Sequence, residues 1–258
     1  VINAADYGFA QRRRRIFIFA FQDDTPIGER LRDTIDLHTW LLEDGFFASE
    51  FPASYISTVS PTTGIDVSYT LEGSLVELSD GFSHPFQNAG IMTGGRFYTI
   101  HVEPIRERFT PLSAILEEDV PEDFYIPPWS IDAWRYAKGA KSEPRRTKAG
   151  FEYCYKEGAI PFPDDLDKPA RTILTSEGNR SPNRCSHVVE DPGTGKLRRL
   201  TPVEIERIFG FPDGWTDTGM TLPRRYFCLG NSLVVGPIER MGKRLGDMIK
   251  TKSSNFLL

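Results

Sequence analysis

Leu197-Arg-Arg-Leu-Thr-Pro-Val-Glu-Ile-Glu-Arg-Ile-Phe-Gly-Phe-Pro-Asp213 is the stretch on which the reading of this chain turns. Thr201 has the side chain of a helix N-cap. Pro202 suits the first helical position, and Glu204 can reach back to the cap. Losing such a cap costs about 1 kcal/mol. Gly210 stops the helix and Pro212 forbids its resumption. Ile205, Ile208 and Phe209 share one face, which predicts a short helix lying on a core. Further on, Leu229-Gly-Asn-Ser-Leu-Val-Val235 carries a Gly-Asn turn signal. It leads to a predicted helix over 236–250 with Ile238, Met241, Leu245, Met248 and Ile249 on one face.

Upstream, Gln11-Arg-Arg-Arg-Arg15 runs straight into Ile16-Phe-Ile-Phe-Ala-Phe21. One strand over 11–21 would place Gln11, Arg13 and Arg15 on one face, Arg12 and Arg14 on the other. A surface localisation signal would not explain the apolar run directly behind the arginines. Between the two ends, residues 26–38 predict a helix. Residues 65–71, 74–78 and 96–102 alternate like strands, and Thr110-Pro111 predicts a short helix through Leu116. These segments suggest no chemistry. Residues 121–160 interleave Tyr125, Trp129, Trp134, Tyr136, Tyr153 and Tyr155 with Lys138, Lys141, Arg145, Arg146 and Lys148. Such a segment can grip a nucleic-acid backbone; it can equally be a long loop anchored by its aromatics. Asp167–Gly178 predicts a strand with a polar end, followed by a loop to Arg184 and a strand over 186–190. Asp191-Pro-Gly-Thr-Gly-Lys196 lacks the first glycine and the terminal Ser or Thr of a phosphate loop. It predicts a hairpin turn.

The chain has 258 residues and a net charge of −5. Residues 1–134 carry 9 basic and 21 acidic groups, residues 135–207 carry 15 and 11, and residues 208–258 carry 7 and 4. A basic segment on an acidic body suits a localised phosphate-contacting face. Cys154, Cys185 and Cys228 form no Cys-x-x-Cys pair, and the histidines are scattered, so no metal site is expected. Reduced thiols in a cytosol are expected, with no membrane span and no signal peptide. A start at Val1, inside a motif and without Met, suggests a fragment or an excised domain.

The capped stretch resembles motif IX of the DNA cytosine-5 methyltransferases, where Thr-Pro-x-Glu, an arginine three residues later and Gly-Phe-Pro-Asp recur together. Gly230-Asn231-Ser232 followed by Val234 resembles motif X. Asn3-Ala-Ala-Asp-Tyr-Gly-Phe-Ala-Gln-Arg-Arg-Arg-Arg-Ile-Phe-Ile18 resembles motif VIII, with its Gln-x-Arg-x-Arg core. Thr172-Ile173 resembles the centre of the target recognition domain. The resemblance implies an α/β fold, present here as a fragment. A strand-rich α+β target recognition domain would be joined to a strand and a helix of the Rossmann-like AdoMet-dependent domain. Residues 1–22 would be the motif VIII strand, 23–210 the recognition domain, and 211–258 a hinge and the returning motif X helix.

It also implies roles. Arg15 would reach a flipped cytosine, with Arg13 and Gln11 as companions in the catalytic set. Arg171, Thr172, Ile173, Arg180 and Arg184 would contact double-stranded DNA, since arginine to guanine is the commonest specific contact. Gly230, Asn231, Ser232 and Val234 would line part of an S-adenosyl-L-methionine site. The family's nucleophile follows a proline, but Tyr153, Arg184 and Phe227 precede the three cysteines. Nor is there a Glu-Asn or a Phe-x-Gly-x-Gly loop. The resemblance therefore implies the C-terminal part of a bacterial-type, cytoplasmic enzyme of restriction-modification. The nucleophile would come from an N-terminal part of the same polypeptide or from a separate subunit. Two alternatives remain: a non-catalytic DNA-recognition subunit, and a relative that modifies tRNA, whose Cys-Phe-Thr is absent here.

Overall fold

The computed structural model describes residues 1–34, 36–56, 65–68, 74, 76–77, 80, 87–94 and 96–254. The chain divides into two compact units. One comprises Val1–Tyr7, Arg14–Arg108 and Pro237–Leu258; the other comprises Gly8–Arg13 and Phe109–Gly236. Every described sheet is small and antiparallel.

In the first unit, β1 (Ile2–Asn3) pairs with β2 (Arg14–Arg15). β3 (Ala53–Tyr55) pairs with β7 (Val102–Pro104), and β4 (Ile65–Ser68), β6 (Arg96–Ile100) and β5 (Ala89–Thr93) form a three-stranded sheet in that order. Helix α1 covers Pro26–Asp33, with Thr25 as N-cap. The helix predicted over 26–38 therefore ends early. Thr34 is extended, and the chain restarts at Leu37–Thr39 under an Asp36 cap before a π turn at Trp40–Asp44. Leu31, Leu37 and Trp40 form a core with Phe21, Ile27, Ile91 and Tyr98 against it. The strand read over 74–78 is also corrected. Val76 and Glu77 are helical, and Ser74 and Glu77 bond each other as in a capping box. Residues 69–71 of the strand predicted over 65–71 lie outside the described residues.

The motif VIII strand is shorter than expected. Only Arg14–Arg15 joins a ladder, while Gln11 makes one parallel bridge to Ala170. The period-2 alternation nevertheless persists: Gln11 and Arg13 are buried, Arg12 and Arg14 exposed, and Ile16 and Ile18 are 74% and 88% exposed.

In the second unit, α2 (Ile131–Lys138) buries Trp134 with Ile126 and Val188. It is followed by a hairpin, β8 (Lys141–Arg146) and β9 (Glu152–Glu157), in a segment whose sequence is equally compatible with a loop. β10 (Val188–Glu190) and β11 (Leu197–Arg199) form the hairpin expected around Asp191–Lys196. α3 (Pro202–Phe209) has the full reciprocal capping box between Thr201 and Glu204, and Gly210 closes it at φ 82°. Ile205, Ile208 and Phe209 are buried, as their spacing predicts. α4 covers Leu222–Asn231; α5, Val235–Ser254, starts in the second unit and belongs to the first from Pro237 on. Residues 110–116 hold only a 3-10 turn at Leu112–Ala114. Residues 171–178, predicted as a strand, join no ladder and end in a turn.

Candidate nucleic-acid recognition site

The second unit joins three of the singled-out segments around Arg13. Residues 10–13 and 170–173 lie side by side. Ala170 N donates to Ala10 O and Arg12 N to Ala170 O, each at 2.8 Å. Thr172 Oγ1 donates to Arg12 O at 2.6 Å, and Ile173 N to the buried Gln11 Oε1 at 3.2 Å. Arg13, only 3% exposed, donates to Ile173 O and to Gly230 O, both at 2.9 Å. Its guanidinium lies over the Phe209 ring. A planar five-donor group suits such a junction, since one side chain can satisfy carbonyls from several segments.

This placement sorts the predicted residues. Gln11 and Arg13 are internal, and Ile173 is fully buried, so each acts on a ligand only by holding its neighbours. Thr172 sits at the surface edge of the junction. In the first unit, the half-exposed Arg15 donates to Arg14 O.

Arg171 is also held from within. Its Nε and Nη2 reach the Asp164 carboxylate at 2.6 and 3.2 Å, and further bonds run to Cys185 O and Ser186 O. Burial pushes the Asp164 carboxyl up. The neighbouring His187, the Arg171 guanidinium and the Val188 N–H outweigh that, and hold it below the ordinary carboxylate value. Arg180 is exposed at 66%, 3.5 Å from Asp123. Arg184 is partly exposed, bonded to Gly158 O and 3.7 Å from Glu157.

The loop from Gly178 to Arg184 rests on polar groups that sequence reasoning missed. Glu177 accepts from His187 N at 2.5 Å and from His187 Nδ1 at 3.0 Å, both residues being buried. Ser186 is tied to Asn183 and Glu177. Below them Lys138, 1% exposed, donates to Ser186 O and Arg184 O. No spacing in the sequence links Lys138 or Asp164 to this loop; tertiary contact alone reveals them. Gly178 sits where a Cβ would meet the Tyr226 ring at 2.4 Å, which fixes the loop's first residue. Among the described residues, no three metal-ligating side chains converge.

Lys138 yields a pH expectation. Burial pushes its pKa down to about 8, with Asp164 pulling it back and Arg171 adding to the fall. In the unfolded chain it titrates near 10.5. Between those values the unfolded state binds more protons, so this group adds stability as pH rises. The stability of the native protein relative to Lys138→Met should increase from pH 8 to 10.5, by at most about 3 kcal/mol. Denaturant midpoints across that range check it, and a flat difference contradicts it.

In the motif X segment, the Gly230 backbone packs on Leu174–Thr175 and Val234 is 5% exposed. Asn231 is exposed and donates to Phe227 O; Ser232 Oγ is half-buried and donates to Leu229 O. Of the four, only Asn231 and Ser232 leave part of a polar side chain accessible.

A family model for C-5 cytosine-specific DNA methylase matches residues 1–247. The type II methyltransferase M.Sau3AI of Staphylococcus aureus is 40% identical over 256 residues, which is 99% of this chain and 60% of that protein. The chain thus spans 60% of the length of this curated relative. The solved structure of the Entamoeba histolytica methyltransferase EhMeth, 19% identical, aligns over 60% of this chain and 48% of its own, with a TM-score of 0.38. With the model matched from Val1 almost to the end of α5, the chain belongs to the C-5 cytosine-specific DNA methylase family.

Proposed function

We propose that this chain is the DNA-recognising, C-terminal part of a DNA cytosine-5 methyltransferase, an enzyme that moves a methyl group from S-adenosyl-L-methionine to C5 of cytosine in double-stranded DNA. The observation that carries this reading is the Arg13 junction. There the Gln-x-Arg segment, the Thr172-Ile173 segment and Gly230 are tied by one side chain. Three segments that each resemble a motif of one family converge in one unit. In this reading residues 1–22 and 211–258 belong with the catalytic domain, and 23–210 form the recognition domain.

The roles follow the burial. Arg15 donates to the extruded cytosine, since a guanidinium can bond O2 of a pyrimidine. Extrusion is required because the ring carbons cannot be reached in the stack. Arg180, Arg184 and Thr172 present themselves to base edges. Arg171 and Ile173 position them, Arg171 by clamping Asp164 to the carbonyls of Cys185 and Ser186. Asn231 and Ser232 supply an edge of the cofactor site, and the cofactor when bound supplies the methyl group. No cysteine here follows a proline. The thiolate nucleophile is therefore contributed by an N-terminal part of the polypeptide or by a partner subunit. An RNA target is disfavoured by the missing Cys-Phe-Thr.

Three measurements test this. Bisulfite sequencing of plasmid from cells expressing the full-length gene should show one methylated cytosine in a fixed sequence context; unmodified plasmid would sink the reading. The purified 258-residue chain alone should transfer no labelled methyl group to DNA, and transfer would show that the nucleophile lies within it. In the full-length protein, Arg180→Ala or Arg184→Ala should relax discrimination at one base position by about 1–3 kcal/mol. Unchanged profiles against a panel of single-base variants would place base reading elsewhere.

A further inference from the structure

The β8–β9 hairpin is absorbed by none of these roles. Its register sets Lys141 opposite Glu157, Glu143 opposite Tyr155 and Arg145 opposite Tyr153 on one face. The other face carries Ser142, Pro144 and Arg146 opposite Lys156, Cys154 and Glu152. The first face is neutralised from within. Arg145 pairs with Glu143 at 3.3 Å and stacks on Tyr155 at 3.6 Å. Lys141 and Arg184 both approach Glu157. Tyr136, on α2, bonds Glu143.

The second face is different. All six of its residues are exposed, as are Thr147, Lys148, Ala149 and Phe151 at the tip. Arg146, Lys148 and Lys156 stand there against Glu152 alone, an excess of positive charge on a chain whose net charge is −5. The tip is a defined turn. Gly150 sits at φ 88°, and its carbonyl accepts from Arg146 Nε. Phe151, 70% exposed, adds a large apolar group beside these cations. Singly exposed apolar groups are common; what sets this one apart is its place at a turn tip among three cations. A six-residue ribbon is about 20 Å long, and the major groove admits a two-stranded ribbon. Arg184 ties the hairpin's base to the end of the loop assigned above to base reading.

We infer that the Lys141–Glu157 hairpin is a second DNA-contacting element, a ribbon whose tip and Arg146–Lys156 face lie along duplex DNA beside the recognition loop. Arg146, Lys148 and Lys156 meet phosphates, and Phe151 covers apolar groove or sugar surface. The inference rests on the DNA-recognition reading and deepens it.

The test uses the full-length protein with Arg146, Lys148 and Lys156 changed together to Ala, all three being exposed. Duplex binding is followed by anisotropy across a salt series. Each phosphate that is no longer neutralised should reduce the slope of log K against log salt by about one. The triple variant should bind about tenfold or more weakly at physiological salt. Methyl transfer should show a raised KM for DNA and an unchanged kcat at saturation. Phe151→Ala should weaken binding with no change in slope. Should the triple variant lose its fold, Lys148→Glu alone should still lower affinity. Affinity within about twofold of the native protein and an unchanged slope overturn the hairpin proposal alone. A variant that loses only concentration-dependent self-association overturns it too, making the ribbon a protein contact. Failure of the native protein to bind any duplex overturns both this proposal and the function it rests on.

Discussion

Changing Arg198 to alanine should be among the most damaging single substitutions in the chain, at about 3–5 kcal/mol. Arg198 is fully buried. Its Nε donates to Asp191 at 2.7 Å, and its two terminal nitrogens donate to Glu204 at 2.9 and 2.8 Å. Glu204 is fully buried too, and also accepts from Thr201 N and Glu117 N. One guanidinium therefore balances the carboxylate of the helix cap and that of the β10–β11 turn. Removing it strands two carboxylates in a low-dielectric interior, which costs more than the intact pair ever gained. Lysine should not rescue, because a point charge cannot bond both oxygens of Glu204 and Asp191 together.

The pH dependence gives a sharper signature. Burial pushes the Asp191 carboxyl up, yet Arg198 and the two bonds from Thr194 outweigh it and hold it low. A carboxyl depressed on folding contributes stability above its unfolded value near 4, lost as pH falls through the folded value. Without Arg198, Asp191 keeps only the two Thr194 bonds against burial, so less of that stability remains to be lost. The stability gap between the native protein and the variant should therefore narrow as pH falls below about 5. Thermal midpoints from about pH 7 down to 3 check it; parallel curves would show that Arg198 matters only for packing.

The sequence made the capped helix legible, because caps, a terminating glycine and apolar spacing are local. The β10–β11 hairpin was legible too, because a Pro-Gly and a Thr-Gly turn sit between alternating residues. Elements whose state depends on partners far along the chain were misplaced. The run from Gln11 to Phe21 keeps its two-sided alternation, but the ladder needs a neighbour, and Ile2–Asn3 reaches only Arg14–Arg15. Residues 171–173 run extended, fixed by Gln11, Arg12 and Asp164 rather than by a strand. The β8–β9 hairpin was obscured by Pro144 and by charges at about half of its positions, which read as loop. Among the residues singled out, the resemblance to the methyltransferases pointed to Arg13, Arg171 and Arg184. It could not tell a guanidinium turned inward from one turned outward. The buried set of Lys138, Asp164, Glu177 and His187 had no sequence signal, since its members come together only in the folded unit.

Gly230 illustrates the same limit and supports the second large effect. By resemblance it falls in the segment proposed as a cofactor edge; by packing it sits on Leu174–Thr175 within the second unit. A Cβ placed on Gly230 would lie 2.4 Å from Thr175 N, 2.5 Å from Leu174 C and 2.6 Å from Thr175 Cα. These are backbone atoms, so no side chain can rotate away. Either α4 or residues 174–175 must move, and Arg13 is bonded to both sides, through Gly230 O and Ile173 O. Over-packing of a tight core costs about 1–3 kcal/mol, and the loosened Arg13 bonds to buried carbonyls add about 1–3 kcal/mol. Gly230→Ala should therefore lower the unfolding midpoint sharply with no cofactor present. It should also weaken DNA discrimination in the full-length protein, because the displaced segment leads into Glu177 and the loop above it. Asn231→Ala, one residue on and exposed, should leave the midpoint unchanged and raise KM for the methyl donor alone. The two variants measured side by side separate a packing glycine from a cofactor contact. If Gly230→Ala keeps the native midpoint and raises only the donor's KM, the close approach to Leu174–Thr175 is not what holds this junction together.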